Sequence, residues 1–164
     1  MSNLTAPHST VQNVKTEAIF ISLSHGSRFM SNTSLNSKLA AEFIGTFFLA
    51  LTICTAAVHG SAGEYAPFAI AATLMVMIYA VGYISGAHFN PAVTVAVWIR
   101  GACDKNDVAP YIGTQLLAGS LAAFVSQELL FSETSVASIQ MDTTNAISAE
   151  FLYTFALVYV ILNV

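Results

Sequence analysis

Ten residues, Ser85-Gly86-Ala87-His88-Phe89-Asn90-Pro91-Ala92-Val93-Thr94, constrain this 164-residue chain more than any other segment. They follow an uncharged apolar run, Ala66 to Ile84, long enough for a membrane span, and they open a second one, Pro91 to Ile99. The second run is too short to cross a bilayer. At ~1.5 Å per helical residue it reaches roughly 14 Å, about half of a ~30 Å hydrocarbon core. The spacing predicts a half-length helix over 91–99, with Pro91 in the first helical position, where a missing N–H costs little. Asn90 then stands near mid-membrane at the helix start. Non-helical backbone at that depth persists only where protein buries it or where it lines a wet cavity. The segment therefore reads as a re-entrant, pore-like element.

Composition agrees with a membrane class. The chain is 55% hydrophobic and 9% charged, with a mean hydropathy of +0.68, whereas soluble domains carry about 25% charge. Net charge is −4, with five basic residues and no basic cluster, which leaves no electrostatic footprint for nucleic acid. Cys54 and Cys103 suggest neither a disulfide framework nor a metal site, and both are expected to be unpaired. Residues 1–37, rich in Ser, Thr and Asn, read as a flexible tail. The apolar stretch Ala18 to Leu23 after Lys15 is too short for a secretory signal core. Asn3-Leu4-Thr5 and Asn32-Thr33-Ser34 match the glycosylation acceptor pattern, which matters only for a tail outside the cell.

Four spans are drawn: Leu39–Val58, Ala66–Ile84, about Val108–Phe131, and one that begins near Ala149 and is still apolar at Val164. Read this way, the last falls short of the ~20 residues that crossing needs. Lys15, Arg28 and Lys38 lie in the tail, and Arg100 and Lys105 follow the half-helix. The connections 59–65 and 132–148 carry only Glu64, Glu133 and Asp142. The positive-inside rule then places the tail and the 100–107 loop on the cytoplasmic side.

An internal repeat supplies the second constraint. Ala41-Glu42-Phe43-Ile44-Gly45-Thr46-Phe47-Phe48-Leu49 returns as Ala149-Glu150-Phe151-Leu152-Tyr153-Thr154-Phe155-Ala156-Leu157, identical at six of nine positions. Three crossings separate the copies, so they enter from opposite faces, the mark of an inverted-topology repeat. The domain organisation expected is a tail over 1–37, a first repeat over 38–148 and the start of a second over 149–164. The offset that carries Glu42 to Glu150 sends the partner of Asn90 to position 198, beyond the last residue of the sequence, Val164. The chain is thus expected to be the N-terminal part of a larger channel.

The ten-residue string, placed directly after a membrane span, resembles the first signature loop of the aquaporin (major intrinsic protein) family of water and small-solute channels. Tyr111 to Ser120, with Gln115 before Ala118-Gly119, also resembles the family's third span, and the likeness extends over about residues 38–164. The fold it implies is an all-α membrane protein with an inverted repeat: three full transmembrane helices, a re-entrant half-helix and the start of a fourth span. It also implies that a complete chain forms homotetramers with one pore per protomer, needs no cofactor, passes water or small uncharged solutes, and sits most readily in the plasma membrane.

Site residues follow at the matching positions. Asn90, Pro91 and Ala92 form the signature tripeptide. The Asn90 amide offers two donors and the helix behind it directs a partial positive charge towards it; by itself, the same residue also suits a simple N-cap. The resemblance assigns the carbonyls of Gly86, Ala87 and His88 as acceptors along a single-file path. It makes Ile70, which precedes His88 by the family's filter-to-loop spacing, a candidate selectivity-filter residue, aliphatic where strict water channels place an aromatic ring. Glu42 and Glu150, carboxylates inside spans, are functional-site hypotheses by default; the resemblance implies that they brace pore-loop amides, and a proton relay is the rival reading. No second His, Cys or acid stands near His88 at metal-ligand spacing, and His59 reads as interfacial. Small residues at matching helical spacing, Ala41 and Gly45, Gly82 and Gly86, Gly119 and Ala123, predict close helix approach.

A passive channel is the leading function. A broken-helix secondary transporter using Glu42 and Glu150 for coupling is a second possibility, and a non-conducting subunit that assembles with full-length channels is a third. No nucleophile–base pair, phosphate-cradling loop or metal cluster points to an enzyme.

Overall fold

The computed structural model describes residues 33–133 and 142–163. The tail up to position 32, with Lys15, Arg28 and both candidate acceptor asparagines, lies outside the described residues, as does most of the 132–142 connection. Helix α1 spans Leu35–Thr52 and continues through a wider turn, Ile53–Val58, with i→i+5 bonding such as His59 N to the Cys54 carbonyl at 2.9 Å. A short 3₁₀ turn, Gly63–Tyr65, leads into α2, Ala66–Ser85. The half-helix α3 covers Pro91–Ile99, and α4 runs from Lys105 to Phe124 with a second wide turn at Val125–Leu130. Helix α5 spans Thr143–Asn163. Among the described residues there are no strands. Four of these stretches, Leu35–Val58, Gly63–Ser85, Lys105–Leu130 and Thr143–Asn163, are long and apolar enough to cross a membrane.

Helix boundaries lie outside the apolar runs because polar residues cap them. Ser34 accepts from Ser37 N and starts α1 at Leu35, one turn ahead of the apolar run. Asp142 accepts from Thr144 N and Asn145 N, so Thr143-Thr144-Asn145 form the first turn of α5. That extension gives α5 21 residues, a crossing length that the apolar stretch alone did not reveal. An oxygen-bearing cap accepts the helix's first free N–H groups, so a helix begins where its cap stands.

Helices α1 and α4 form the spine and run parallel. At one end Lys38 Nζ meets Asp107 Oδ2 at 2.7 Å, joining the first turns of both helices. At the other end the His59 and Phe131 rings stack, 4.1 Å between centroids and 6° from parallel. Two helices that start at the same face, with α2 returning between them, require α3 and its loop to enter and leave on that face. The segment between Ser85 and Lys105 is therefore re-entrant by construction.

The spine packs through small and polar side chains. Helix α4 buries Tyr111, Gln115, Ala118 and Ala122, with Ser126 next in its wide turn, a stripe at helical spacing. Ala118 and Ala122 are the small pair that packs. Gly119, one position away in register, faces open space, and Ala123 is exposed. Helix α1 buries Ala41, Glu42, Gly45 and Thr46. Helix α2 keeps most of its surface outward, with Phe68, Met75, Tyr79 and Tyr83 exposed, as a lipid-facing helix would.

Gly45 is fixed by contact. The Phe89 ring of the loop lies directly over it, where any Cβ would collide, and Phe89 itself is buried. Overpacking of this kind costs about 1–3 kcal/mol. Gly45→Ala is expected to lower the thermal midpoint of the chain in detergent, and Gly119→Ala to leave it unchanged; equal midpoints for both variants would refute the ring contact.

Candidate functional site

The site is built around the Glu42 side chain, which is 0% exposed. Its Oε1 accepts from Ser85 Oγ at 2.7 Å and from the His88 backbone N–H at 2.9 Å. Its Oε2 accepts from the Phe89 N–H at 2.7 Å and from Gln115 Nε2 at 2.9 Å. A carboxylate has about four acceptor positions, and here donors fill all of them. One residue of α1 thus binds the end of α2, two amides of the loop and the middle of α4.

A second layer closes around it. Ser85 Oγ accepts from Ala87 N at 3.1 Å while giving its own proton to Glu42. Tyr111 Oη donates to the Ser85 carbonyl at 2.9 Å. Gln115 Nε2 also donates to Thr94 Oγ1 at 2.9 Å, and Thr94 Oγ1 donates to the Asn90 carbonyl at 3.1 Å. His88 lies edge-on to Tyr111, with Nδ1 at 3.2 Å from Thr94 Oγ1.

This cradle holds an unusual backbone. Gly86 ends α2 at φ 90°, while Ala87 and Phe89 take φ 53° and 49° without being glycine. Left-handed non-glycine residues cost about 1–3 kcal/mol each and persist only where the surroundings impose them. The carboxylate imposes them by taking the His88 and Phe89 amides together. Charge-assisted hydrogen bonds of about 1.5–3 kcal/mol each are of the size needed to offset that strain.

Asn90 is the N-cap of α3: its Oδ1 accepts from Ala92 N at 2.8 Å, with Pro91 in the first turn. That bond uses the amide oxygen and leaves both Nδ2 protons without an acceptor among the described residues. Capping and donating outward are therefore compatible in one side chain. The carbonyl oxygens of Gly86, Ala87 and His88 receive no donor among the described residues either. Ala92 is exposed, and Ile70 is half-buried on the α2 face that also carries Thr73, Leu74 and Met77, with Thr73 touching Thr52 of α1 through their hydroxyls at 3.2 Å.

Glu150 stands apart from this cluster. It is exposed on α5, in a groove lined by Ala146, Ile147, Phe151, Thr154, Phe155 and Val158, and no donor reaches it among the described residues. The geometry brings together Glu42, the loop carbonyls and Asn90, and leaves Ile70 and Glu150 outside.

Sequence reasoning missed Ser85, Tyr111 and Thr94 as structural partners, and used Gln115 only as a mark of likeness. A signal for Gln115 was present: a carboxamide inside an apolar span needs partners there. The loop after α3 holds Cys103, half-buried and unpaired, whose thiol burial pushes upward from its ordinary value, with the Asp107 charge adding to the rise.

As a test of the cradle, Glu42→Ala leaves four donors unpaired, at about 1–3 kcal/mol for each buried group. It is expected to abolish most folded yield, while Tyr111→Phe lowers the unfolding midpoint by only a few degrees. Wild-type yield and midpoint for Glu42→Ala would remove the carboxylate from its central place.

Residues 29–164 match the family described as major intrinsic protein. "Aquaporin Z" of Photorhabdus laumondii is 44% identical over 95 residues, covering 54% of this chain and 41% of that protein. From Arabidopsis thaliana, "Probable aquaporin NIP4-2" is 39% identical over 140 residues, covering 79% of this chain and 49% of its own length. "Aquaporin NIP3-1" from the same plant is 35% identical over 146 residues, covering 79% and 45%. The chain spans about half the length, or somewhat less, of the curated relatives it matches. With a match over most of its length, four helices of crossing length and a re-entrant half-helix, the chain belongs to the major intrinsic protein family and is an integral, multi-pass membrane protein.

Proposed function

We propose that this chain provides half of a passive, single-file pathway for water or small neutral solutes. The observation that carries the reading is the division of polar groups around the loop. Glu42 takes the N–H groups of His88 and Phe89 on one side. The carbonyls of Gly86, Ala87 and His88 and the Asn90 Nδ2 group remain unpaired among the described residues. Carbonyls and an amide of that kind replace part of a water molecule's hydration shell, and the positive end of α3 at Asn90 opposes a cation.

A proton relay through Glu42 has less support. Its four partners are the Ser85 hydroxyl, two backbone N–H groups and the Gln115 amide, none of them a titratable group that could pass a proton on. Bracing suits that environment. Glu150 is the repeat counterpart and would brace a corresponding loop of a second repeat. The complete pore, on this reading, comprises both repeats and assembles as a homotetramer in the plasma membrane. Ile70, on the half-buried face of α2, would shape the outer filter and favour admission of small solutes such as glycerol or urea beside water.

Two measurements test these statements. Stopped-flow shrinkage of proteoliposomes compares the chain joined to a second repeat with the same protein carrying Asn90→Asp. The substitution is expected to lower water permeability several-fold or to admit cations; unchanged water flux and unchanged ion exclusion would remove Asn90 from the path. For orientation, a membrane-impermeant maleimide is expected to label Cys103 only after cells are permeabilised, since on this reading the 100–107 loop, with Arg100 and Lys105, faces the cytoplasm. Mildly alkaline buffer is needed because the thiol is held above its ordinary value. Labelling of intact cells at Cys103 would invert the topology.

A further inference from the structure

The hydrogen bonds around Thr94 carry an inference about His88. Thr94 Oγ1 has one proton and two lone pairs, and it has three polar neighbours. Gln115 Nε2 lies at 2.9 Å and donates. The Asn90 carbonyl lies at 3.1 Å and only accepts. His88 Nδ1 lies at 3.2 Å and can do either.

The Gln115 orientation is fixed independently. Turning its amide over would set Oε1 against Glu42 Oε2, so Nε2 must face both the carboxylate and Thr94. One lone pair of Thr94 is then taken. If the Thr94 proton went to His88 Nδ1, two oxygens, Thr94 Oγ1 and Asn90 O, would face each other at 3.1 Å with no proton between them. Sending that proton to Asn90, as a helical threonine commonly does with the carbonyl one turn back, leaves the second lone pair for an Nδ1–H. Only this assignment satisfies all three neighbours.

The opposite side of the ring is open. Among the described residues, the buried side-chain nitrogen and oxygen atoms without a partner are Thr46 Oγ1, His59 Nδ1, Gln115 Oε1 and Ser126 Oγ. His88 Nε2 also has no partner among the described residues, yet it is not in that set. The 7% exposure of His88 therefore includes Nε2.

We propose that Thr94, backed by Gln115, is a positioning residue that holds the neutral His88 ring in its Nδ1–H form, presenting Nε2 outward as an acceptor without a proton. The consequence for conduction rests on the channel reading above. His88 adds one acceptor for a water molecule, while a proton landing on Nε2 has no route through the ring. The Nδ1 proton points at Thr94 Oγ1, whose own proton is committed to a backbone carbonyl.

The test is nitrogen-15 histidine NMR of the chain in lipid bilayers at about pH 8, above the ~6.5 of an ordinary imidazole. His8, His25 and His59 are replaced by Gln so that His88 is the sole imidazole. The wild-type loop is expected to give one tautomer, protonated at Nδ1. Thr94→Ser keeps that spectrum, and Thr94→Val brings in a population protonated at Nε2. A wild-type ring protonated at Nε2, or a Thr94→Val spectrum identical to the wild type, overturns the inference. If Thr94→Val does not fold, the wild-type tautomer decides alone. Water permeability measured on the chain joined to a second repeat separates the two claims: the expected tautomer without flux there retires the channel reading and leaves the positioning role in place.

Discussion

The Glu42 carboxylate lies fully buried between α1, α4 and the re-entrant loop, and each of its oxygens takes two donors. Left unpaired inside a membrane protein, such a group would cost several kcal/mol. Paired in this way, it becomes the tie on which the loop depends. Remove it, and the loop must find other partners for two amides in a region without bulk water. The left-handed conformations of Ala87 and Phe89 would then be strain with nothing to offset it.

The rest of the packing serves that tie. Parallel placement of α1 and α4, pinned by Lys38 with Asp107 at one end and by His59 with Phe131 at the other, sets Gln115 level with Glu42. Gly45 leaves room for the Phe89 ring one turn further along α1. Tyr111 holds the Ser85 carbonyl, and Ser85 in turn aims its hydroxyl at the carboxylate. Small side chains at Ala118 and Ala122 let the helices come close enough for a Gln and a Glu to meet. A polar cluster of this kind is stable only when nearly every member is satisfied.

Much of this was legible in the residues. Pro91 opening a short apolar run marks a half-helix that cannot cross, and the structure places α3 over Pro91–Ile99. The return of Ala41-Glu42-Phe43 as Ala149-Glu150-Phe151 marks an inverted repeat, and a carboxylate in a span announces that partners must exist. What hydropathy does not encode is where a cap overrides it. Thr143 to Asn145 look like loop residues until Asp142 caps them into α5. Nor does spacing distinguish Ala118 from Gly119, since a single step of register turns a contact into an open face. The role of Thr94 depends on three neighbours from separate elements, and no linear pattern brings those together.

The most direct test of the central claim is site-resolved hydrogen exchange at the His88 and Phe89 amides in bilayers, in wild type and in Glu42→Gln. The carboxamide keeps the side chain's size but replaces one acceptor oxygen with a donor group. The account predicts slow exchange at both amides in the wild type, and faster exchange at one or both in the variant while α1 and α4 stay protected. Rapid exchange in the wild type, or equal protection in the two proteins, would contradict it.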